Sequence, residues 1–426
     1  MKYILILILG IFMHPSMEAQ TISEKEYEAI EAEVIKWRRH FHQYPELSNR
    51  EVNTAKYISE RLKEMNIEHE TGIAHHGVIG VIQGGLEGPT VALRADIDGL
   101  PVIERVDIPF ASKERTNYLG EEVGAMHACG HDTHTAMLLG AAKLLKDKEK
   151  MLKGKVVLIF QPAEEGAPPG EEGGAKLMVK EGVLKKHGVD VIFGQHISSG
   201  LNANKVDYKV GGAMAASDRF VITVKGKQAH GSRPWSGVDP ITVAAQIIMG
   251  LQTVVSRQTE LTKEAAVISV GKIQGGVRNN IIPEECELVG TIRTLDVGMQ
   301  EKIHEDIRRT ATLIAESAGA EAVVDIQIGY PVTYNDPELT RKMINTMFDT
   351  AGEDNVRVVA ARTGAEDFSF FAQQVPGLYW FLGGKDPAAA EATGHHTPDF
   401  YVVETGLLLG VKMMCNMTLD YMNMGQ

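Results

Sequence analysis

The chain has 426 residues, of which 44% are hydrophobic and 23% charged, so its composition is that of a globular protein and excludes fibrous and disordered classes. At roughly 150 residues per domain, this length predicts two or three domains. The net charge of -13 repels the phosphate backbone of nucleic acids, so we expect no nucleic-acid partner. Three cysteines, Cys129, Cys286 and Cys415, are too few for a disulfide framework. A functional cysteine would therefore be a metal ligand or a nucleophile. A cysteine with neither role would be a small apolar residue packed in the core.

The N-terminal segment has the pattern of a secretory signal peptide. Lys2 precedes an apolar run from Tyr3 to Met13, and Ala19 stands before Gln20 at the expected cleavage point. The run is shorter than the roughly 20 residues that a membrane helix needs. A buried N-terminal helix is the alternative interpretation. We predict a signal peptide over residues 1–19 and an exported protein, periplasmic or extracellular, with no membrane span once the signal is removed.

The next part of the chain predicts a helix and then an α/β sheet. Apolar residues recur at helical spacing from Tyr27 to Phe41, and Ser23 is placed to cap this helix. Short β-branched runs follow, and helical patterns separate the later ones. Strands that are apolar throughout and alternate with helices indicate a mainly parallel mixed sheet with helices on both faces. The predicted strands are Val78–Ile82, Val91–Leu93, Val156–Phe160 and Val189–Phe193, with helices at Thr133–Leu145 and Gly174–Leu184.

The pattern changes after Gly211 and Gly212 to the order β-α-β-β-α-β. This order is the split βαβ unit, which forms a complete small α+β domain. Its predicted elements are strand Arg219–Val224, helix Pro240–Val255, strands Ala266–Ile273 and Glu285–Ile292, helix Gln300–Ala318 and strand Ala322–Ile328. Mixed α/β patterning returns after Tyr330 and ends in a helix from about Glu404 to Met422. We therefore predict one discontinuous domain, residues 20–211 and 330–426, interrupted by an inserted domain at 212–329.

The segment around Cys129 carries the first sign of chemistry. Cys129 and His131 flank a glycine, so a tight loop can direct a thiolate and an imidazole at one point. These ligands suit zinc and, to a degree, other divalent transition metals. The pair alone is weak evidence, because a buried thiol beside a core histidine gives the same pattern. A third interpretation is a cysteine nucleophile with His131 as its base.

Other ligand-type side chains follow predicted strands. Glu164 and Glu165 come after Val156–Phe160, and His196 comes after Val189–Phe193; catalytic groups gather at the carboxyl ends of such strands. His395 and His396 lie near the C-terminus. An isolated pair of glutamates is usually a solvated loop, and a lone histidine is usually ordinary surface or core. Together these groups exceed the needs of one four-coordinate zinc and suit two metals about 3.5–4 Å apart, which hydrolyse amides through an activated water.

At these residues the sequence resembles a known family, the metal-dependent amidohydrolases related to aminoacylase and carboxypeptidase G. It is similar to the branch that contains bacterial N-acyl amino acid and hippurate hydrolases and plant auxin-conjugate hydrolases. The resemblance covers about residues 35 to 410 and implies a zinc-peptidase-like catalytic domain with a ferredoxin-like insertion. The motifs that carry it are Arg38–His42, Pro45–Ser48, Leu93–Pro101, the Cys129 loop, Gln161–Gly166, Asn280–Pro283 and Gly364–Phe368.

The resemblance implies two divalent metal ions per subunit, zinc, manganese, cobalt or nickel. It implies that Glu164 is the general base, which takes a proton from the attacking water and passes it to the leaving nitrogen. Asp98 would orient a ligand imidazole, although an aspartate in a tight turn before Gly99 is the plain alternative. Cys129 would bridge the two ions. The implied ligands are Cys129, His131, Glu165, His196 and His396, the last chosen over His395 because it stands two residues before a proline.

The resemblance also gives the inserted domain a part in catalysis and in dimerisation. His230 would reach the active site of the partner subunit in a homodimer and hydrogen-bond the developing oxyanion. Asn280 and Arg293 are candidates to bind a substrate carboxylate, although a surface ion pair is an equal alternative for Arg293. The chain departs from many relatives at Ser232–Trp235 and at Ile197–Gly200, two places that shape a substrate site.

We therefore expect a metal-dependent enzyme that hydrolyses the amide bond of small N-acyl amino acids to a carboxylic acid and an amino acid. A dipeptidase or aminopeptidase with the same metals is the near alternative. The remote alternative is a non-catalytic, metal-holding binding or structural dimer, which predicts damaged ligands that the sequence does not have.

Overall fold

The computed structural model describes residues 21–424, so the predicted signal peptide lies outside the described part of the chain. None of the helices in that part has both the length and the apolar character that a membrane crossing requires. The helices are α1 (Glu24–Gln43), α2 (Val52–Glu64), α3 (His131–Asp147), α4 (Gly174–Lys180), α5 (Val183–His187), α6 (Pro240–Thr253), α7 (Val297–Ser317), α8 (Pro337–Ala351), α9 (Phe368–Ala372) and α10 (Leu407–Asn423).

The strands form one large sheet, a second sheet of four strands and three short two-stranded ribbons. They are β1 (Glu68–Ile73), β2 (Gly77–Gln83), β3 (Leu86–Asp96), β4 (Arg115–Tyr118), β5 (Glu121–Gly124), β6 (Lys153–Gln161), β7 (Val191–Asn202), β8 (Val206–Tyr208), β9 (Gly211–Met214), β10 (Ala216–Lys225), β11 (Ala229–His230), β12 (Ala266–Gly275), β13 (Ile281–Ile282), β14 (Glu285–Thr294), β15 (Glu321–Tyr330), β16 (Thr333–Asn335), β17 (Val356–Val358) and β18 (Gly377–Lys385).

The large sheet has the strand order β1-β2-β6-β3-β7-β18-β8-β17, and its centre, β6-β3-β7-β18, is parallel. Successive side chains of β6 pack on opposite faces: Leu158 joins the core beneath α1, α3 and α10, and Ile159 joins the core beneath α4, α5 and α9. Both faces are therefore covered, which is why the middle of β6, Val156–Phe160, is apolar at every position. The predicted mainly parallel sheet with helices on both faces is confirmed.

Three predicted elements have wrong limits. The strand predicted over Val91–Leu93 is β3 and extends over Leu86–Asp96, because it pairs with β6 along this whole length. The strand predicted to end at Phe193 continues to Asn202, because β18 pairs with β7 well beyond the point where β3 ends. His196 consequently lies within β7 and not in a loop after it. The helix predicted over Gly174–Leu184 is divided into α4 and α5 at Gly182, whose φ of 80° is outside helical values.

The second sheet is antiparallel, with the order β12-β14-β10-β15, and α6 and α7 pack on one face. This is the arrangement that the β-α-β-β-α-β pattern predicts. Its core is separate from those of the large sheet and includes Phe220, Leu288 and Ile307. The ribbon β9–β16 joins the chain segments that enter and leave this region. None of the three cysteines forms a disulfide, and Cys286 and Cys415 are buried in the cores of the small and large sheets.

Candidate active site

The candidate site lies at the carboxyl end of the parallel strands, where several loops converge. Glu164 and Glu165 follow β6, Asp98 follows β3, and His196 lies in the second half of β7. Cys129 stands two residues before His131, the first residue of α3. Gly130 between them has a φ of 99°, and a Cβ at this position would lie 2.2 Å from Ile197. Only glycine fits there, so the glycine between Cys129 and His131 allows the thiol to sit at the sheet edge.

Cys129 is at the centre of two groups of possible metal ligands. Its Sγ lies 3.4 Å from Nε2 of His196 and 3.3 Å from Nε2 of His396. Oε1 of Glu165 is 3.1 Å from Nε2 of His396. One triplet of ligand atoms therefore comes from Cys129, His131 and His196, and a second comes from Cys129, Glu165 and His396. The thiol is the member that these two triplets share.

A second layer of contacts orients these side chains. Asp98 is buried; its Oδ1 is 3.1 Å from Nδ1 of His131, and its Oδ2 accepts hydrogen bonds from Ser48 Oγ at 2.7 Å and the Glu165 N–H at 3.1 Å. Nδ1 of His196 lies 2.5 Å from the carbonyl oxygen of Ile197. Each imidazole thus uses Nδ1 for a protein contact and turns Nε2 toward the shared thiol or the glutamates, as is typical of metal-binding histidines.

The two neighbouring histidines of the C-terminal loop have different surroundings. His396 is exposed, has a φ of 60° and points Nε2 at Cys129 and Glu165. His395 turns Nδ1 toward Cys129 at 3.7 Å, and its Nε2 accepts the N–H of Ser199 at 3.2 Å. His396 completes a ligand triplet with Cys129 and Glu165, whereas His395 belongs to none of the ligand groups among the described residues, so His396 is the better placed of the two as a ligand.

The donor set fits a pair of divalent cations. Nε2 of His131 is fully buried without a hydrogen-bond partner among the described protein groups, and it lies 3.8 Å from carboxylate oxygens of both Glu164 and Glu165. A buried polar atom in this condition is costly unless something binds it. Thiolate, imidazole and carboxylate are ligands of zinc and related ions. The residues present therefore fit the metals that the sequence pattern predicts.

The crowding of acidic groups strongly alters their ionisation. Burial, with the charges of Glu165 and Glu164, raises the pKa of the Cys129 thiol well above its usual range. Burial and the neighbouring carboxylates of Glu366 and Glu165 raise the pKa of Glu164 in the same way. Burial opposes the charged form of His131, but Asp96 and Asp98 outweigh it and raise its pKa to about 10. Positive charge at this centre relieves the repulsion between its anionic groups.

Several residues of the site were not assigned from the sequence. Glu366 is buried beside Glu164; its Oε2 accepts the Tyr379 hydroxyl at 2.6 Å, and its Oε1 pairs with Arg94 at 2.9 Å. The Tyr330 hydroxyl donates to the carbonyl oxygen of Glu164 at 2.6 Å. The Gly364–Phe368 motif pointed to the neighbourhood of Glu366, but no signal in the sequence marked Tyr330.

These residues surround a cavity of about 340 Å³ at the sheet edge. This volume is at the lower end of the range for small-molecule sites. Cys129, Glu164, Glu165, His196, Met214, Tyr330, Arg362, Gly364, Ala365, Glu366, Phe381, His395 and His396 line it.

The three candidates from the inserted region lie elsewhere in the chain. His230 is exposed on β11, and its Nδ1 accepts from Ser232. The exposed Asn280 lies beside it, with its carbonyl oxygen bound to the Gly231 N–H at 2.8 Å. Arg293 on β14 donates to the carbonyl oxygen of Ile292 at 3.1 Å. None of the three lines the cavity within its own chain.

Ligand atoms that converge on one sulfur, with further carboxylates at the cavity wall, are typical of a metal-dependent hydrolase. The sequence places the chain within this class more narrowly. Residues 92–420 match the model of peptidase family M20/M25/M40, and the chain belongs to this family. It is a hydrolase of amide bonds, and the resemblance noted in the sequence is confirmed.

Individual relatives support the same family over nearly the full length. Thermostable carboxypeptidase 1 of Saccharolobus solfataricus is 40% identical, over 92% of this chain and 96% of its own length. N-acetyl-L-cysteine deacetylase of Bacillus subtilis is 38% identical, over 89% of this chain and 86% of its own length. A crystal structure is known for the Bacillus subtilis YXEP protein, a dinuclear metal-binding peptidase of family M20 whose sequence is 35% identical to this one. The two structures match with a TM-score of 0.78 over 93% of this chain and 99% of the YXEP chain.

Proposed function

We propose that this protein hydrolyses the amide bond of small N-acyl amino acids, releasing a carboxylic acid and a free amino acid. The observation that carries the proposal is the position of Cys129, whose sulfur belongs to two separate triplets of metal-ligand atoms beside the carboxylate of Glu164. Each triplet supplies three protein ligands, which leaves a position on its ion for water or substrate, as in catalytic sites. A shared thiol with a free carboxylate at the cavity wall is the arrangement that hydrolysis by two metals needs.

In this proposal one ion is held by Cys129, His131 and His196, and the other by Cys129, Glu165 and His396. The ions are zinc, manganese, cobalt or nickel. When bound, they supply Lewis acidity toward the scissile carbonyl and lower the pKa of the attacking water. Asp98 contacts the His131 ring and the backbone N–H of Glu165. It therefore positions one ligand of each ion.

Glu164 is the proposed general base. Both glutamates line the cavity, but Glu165 lies 3.1 Å from His396 and belongs with it to the triplet that contains Cys129. The Glu164 carboxylate takes a proton from the attacking water and returns it to the leaving nitrogen. Burial beside Glu366 raises the pKa of Glu164, which makes its carboxylate a stronger proton acceptor, and the positive charge of bound ions would oppose this rise.

The substrate class rests on the two curated relatives named above. One is named a carboxypeptidase and the other an N-acetyl-L-cysteine deacetylase. Carboxypeptidases and N-acyl amino acid deacylases both cleave an amide whose nitrogen belongs to an amino acid with a free carboxylate. The small cavity favours a short acyl group. A dipeptidase is the second candidate, because a dipeptide has the same free carboxylate and the name carboxypeptidase implies a peptide substrate.

The proposal includes export by residues 1–19 and a homodimer formed through the inserted region. His230 is exposed and lies outside the cavity of its own chain, so it would act in the partner's site as a donor to the developing oxyanion. Asn280, adjacent to it, and Arg293 would then approach the substrate carboxylate from the partner. Size-exclusion chromatography with light scattering tests the dimer, and mass spectrometry of the secreted form tests cleavage after Ala19.

The test of the activity is a panel of N-acetyl-, N-benzoyl- and indoleacetyl-amino acids, with matching dipeptides, offered to protein loaded with zinc, manganese or cobalt. We expect turnover of N-acyl amino acids, and near-complete loss of it in Glu164→Gln with both metals retained. Glu338→Gln, an exposed glutamate on α8, is the matched control. Wild-type protein with both metals bound and no turnover of any panel member contradicts the proposal.

A further inference from the structure

One cationic side chain of the cavity has no part in the proposed chemistry. Arg362 lies in the segment between β17 and α9 and faces the same cavity as Cys129 and Glu164. Among the residues that line this cavity it is the single arginine or lysine, and the other charged lining groups are carboxylates and histidines. Neither the metal triplets nor the base requires it.

The guanidinium of Arg362 is held in place without a carboxylate partner. Its central carbon lies 3.5 Å from the centroid of the Phe381 ring, and Nη1 is 3.5 Å from Oγ of Ser198. Contact with the face of the buried Phe381 ring restrains the guanidinium and uses none of its N–H donors for a carboxylate. Burial of this half-buried side chain lowers the pKa of Arg362 from its usual value, and the charge of Asp207, which forms no ion pair with it, offsets this effect only in part.

Other buried arginines of the protein are neutralised directly. Nε of Arg38 lies 2.9 Å from Asp132, and Arg94 pairs with both Asp96 and Glu366. Arg362 forms no such ion pair with any carboxylate in residues 21–424. A partly desolvated guanidinium is costly when unpaired, and a planar two-oxygen anion is the ligand that its geometry matches. The side of the cavity that Arg362 forms is therefore suited to bind an anionic group.

We infer that Arg362 binds the free α-carboxylate of the substrate, on the amino-acid side of the scissile amide. This inference rests on the proposed function, because it takes the substrate to be an N-acyl amino acid. It assigns carboxylate recognition to the catalytic chain itself, before any contribution of Arg293 or Asn280 from a partner. It also defines a specificity: a substrate with a free acid is preferred to the same molecule as a primary amide.

The experiment compares N-acetyl-L-methionine with N-acetyl-L-methioninamide, using metal-loaded wild type and the variants Arg362→Gln and Arg362→Lys. In the wild type we expect turnover of the acid with a clear preference over the amide. In Arg362→Gln, kcat/KM for the acid should fall by about 10- to 100-fold, mostly through KM, because a charged hydrogen-bonding group is lost. The value for the amide should change by less than about threefold. Arg362→Lys should recover part of the loss, since it keeps the charge without the planar fork.

Two further variants make the result specific. Arg341→Gln removes an exposed arginine of α8 that does not line the cavity, and it should leave the acid-to-amide ratio unchanged. Metal content and melting temperature verify that each variant is folded. Equal losses on acid and amide in Arg362→Gln, or an unchanged ratio, overturn the inference, as does a selective loss in Arg293→Gln alone. A wild type that hydrolyses neither compound nor any other N-acyl amino acid instead refutes the proposed function.

Discussion

Sγ of Cys129 lies 3.3 Å from Nε2 of His396, although 267 residues separate the two in the sequence. The same sulfur is 3.4 Å from Nε2 of His196, which belongs to the other ligand triplet. The thiol thus connects a histidine held within the central sheet to one on an exposed C-terminal loop. If two ions occupy the two triplets, this sulfur is their common ligand.

Removal of the shared ligand should affect both ions, whereas removal of an outer ligand should affect one. We expect Cys129→Ala to lower the metal content from two ions per subunit toward none. His396→Ala should leave about one ion, because the triplet of Cys129, His131 and His196 remains. Elemental analysis after gel filtration measures both values. A Cys129→Ala protein that retains two tightly bound ions would refute the bridging role.

Asp98 is expected to be a positioning residue with a measurable effect on metal binding. It contacts the ring of His131 and the backbone N–H of Glu165, which belong to different triplets. Loss of such an outer partner typically costs 10- to 100-fold in metal affinity or activity, and we expect Asp98→Asn to fall in this range. Metal titration by calorimetry measures it, with Asp147→Asn on the exposed end of α3 as the control. An affinity equal to that of the control would show that Asp98 only closes a turn.

Glu51 predicts a pH dependence of stability. Its Oε1 accepts the N–H of Ala163 at 2.8 Å, next to Glu164 and Glu165 in the chain, and burial together with Asp98 raises the pKa of Glu51 to about 8. Because this pKa is higher in the folded than in the unfolded chain, the folded chain holds the proton longer. The stabilisation is complete below the unfolded pKa of about 4.3 and is lost as the pH rises toward 8.

Glu51→Gln keeps the acceptor and removes the titration. Its free energy of unfolding relative to wild type should therefore rise by a few kcal/mol between pH 5 and pH 8, since each pKa unit corresponds to about 1.4 kcal/mol. Denaturant unfolding at both pH values measures the difference. Glu60→Gln, on the exposed side of α2, should show no such trend. Parallel pH profiles for Glu51→Gln and wild type would contradict the assignment.

Metal removal should destabilise the fold. The ions bind the folded chain, whose ligands come from four separate segments, so free metal at about 1,000 times its dissociation constant adds about 4 kcal/mol to the free energy of unfolding. We expect a chelator to lower the melting temperature, and added zinc or manganese to restore it. The Cys129→Ala variant should not respond to the chelator. An equal response of wild type and variant would place the stabilising metal elsewhere.

Much of the fold could be predicted from local pattern. The helix capped by Ser23, the apolar run Val156–Phe160 in β6 and the β-α-β-β-α-β order each depend on residues that are neighbours in the sequence. The end of β7 could not be predicted, because its pairing with β18 from a distant part of the chain extends it past His196. The break at Gly182 was missed because apolar spacing continues across the glycine.

The site residues also differ in whether local sequence pattern predicts them. Cys129, His131, Glu164 and Glu165 stand in short motifs beside strand ends, so chemistry and placement could both be inferred from the sequence. Arg362 stands in no such motif; its significance comes from the Phe381 ring and from the lack of a carboxylate among its described neighbours. The part of His230 stays a prediction, since it concerns a second subunit.

The most direct test of the central claim is a crystal structure of the zinc-loaded protein, with anomalous diffraction recorded on both sides of the zinc edge. The account predicts two zinc peaks per subunit about 3.5–4 Å apart, with Sγ of Cys129 at about 2.3 Å from both and Glu164 bound to neither. A single zinc peak, or two peaks with the sulfur of Cys129 bound to at most one of them, would contradict it.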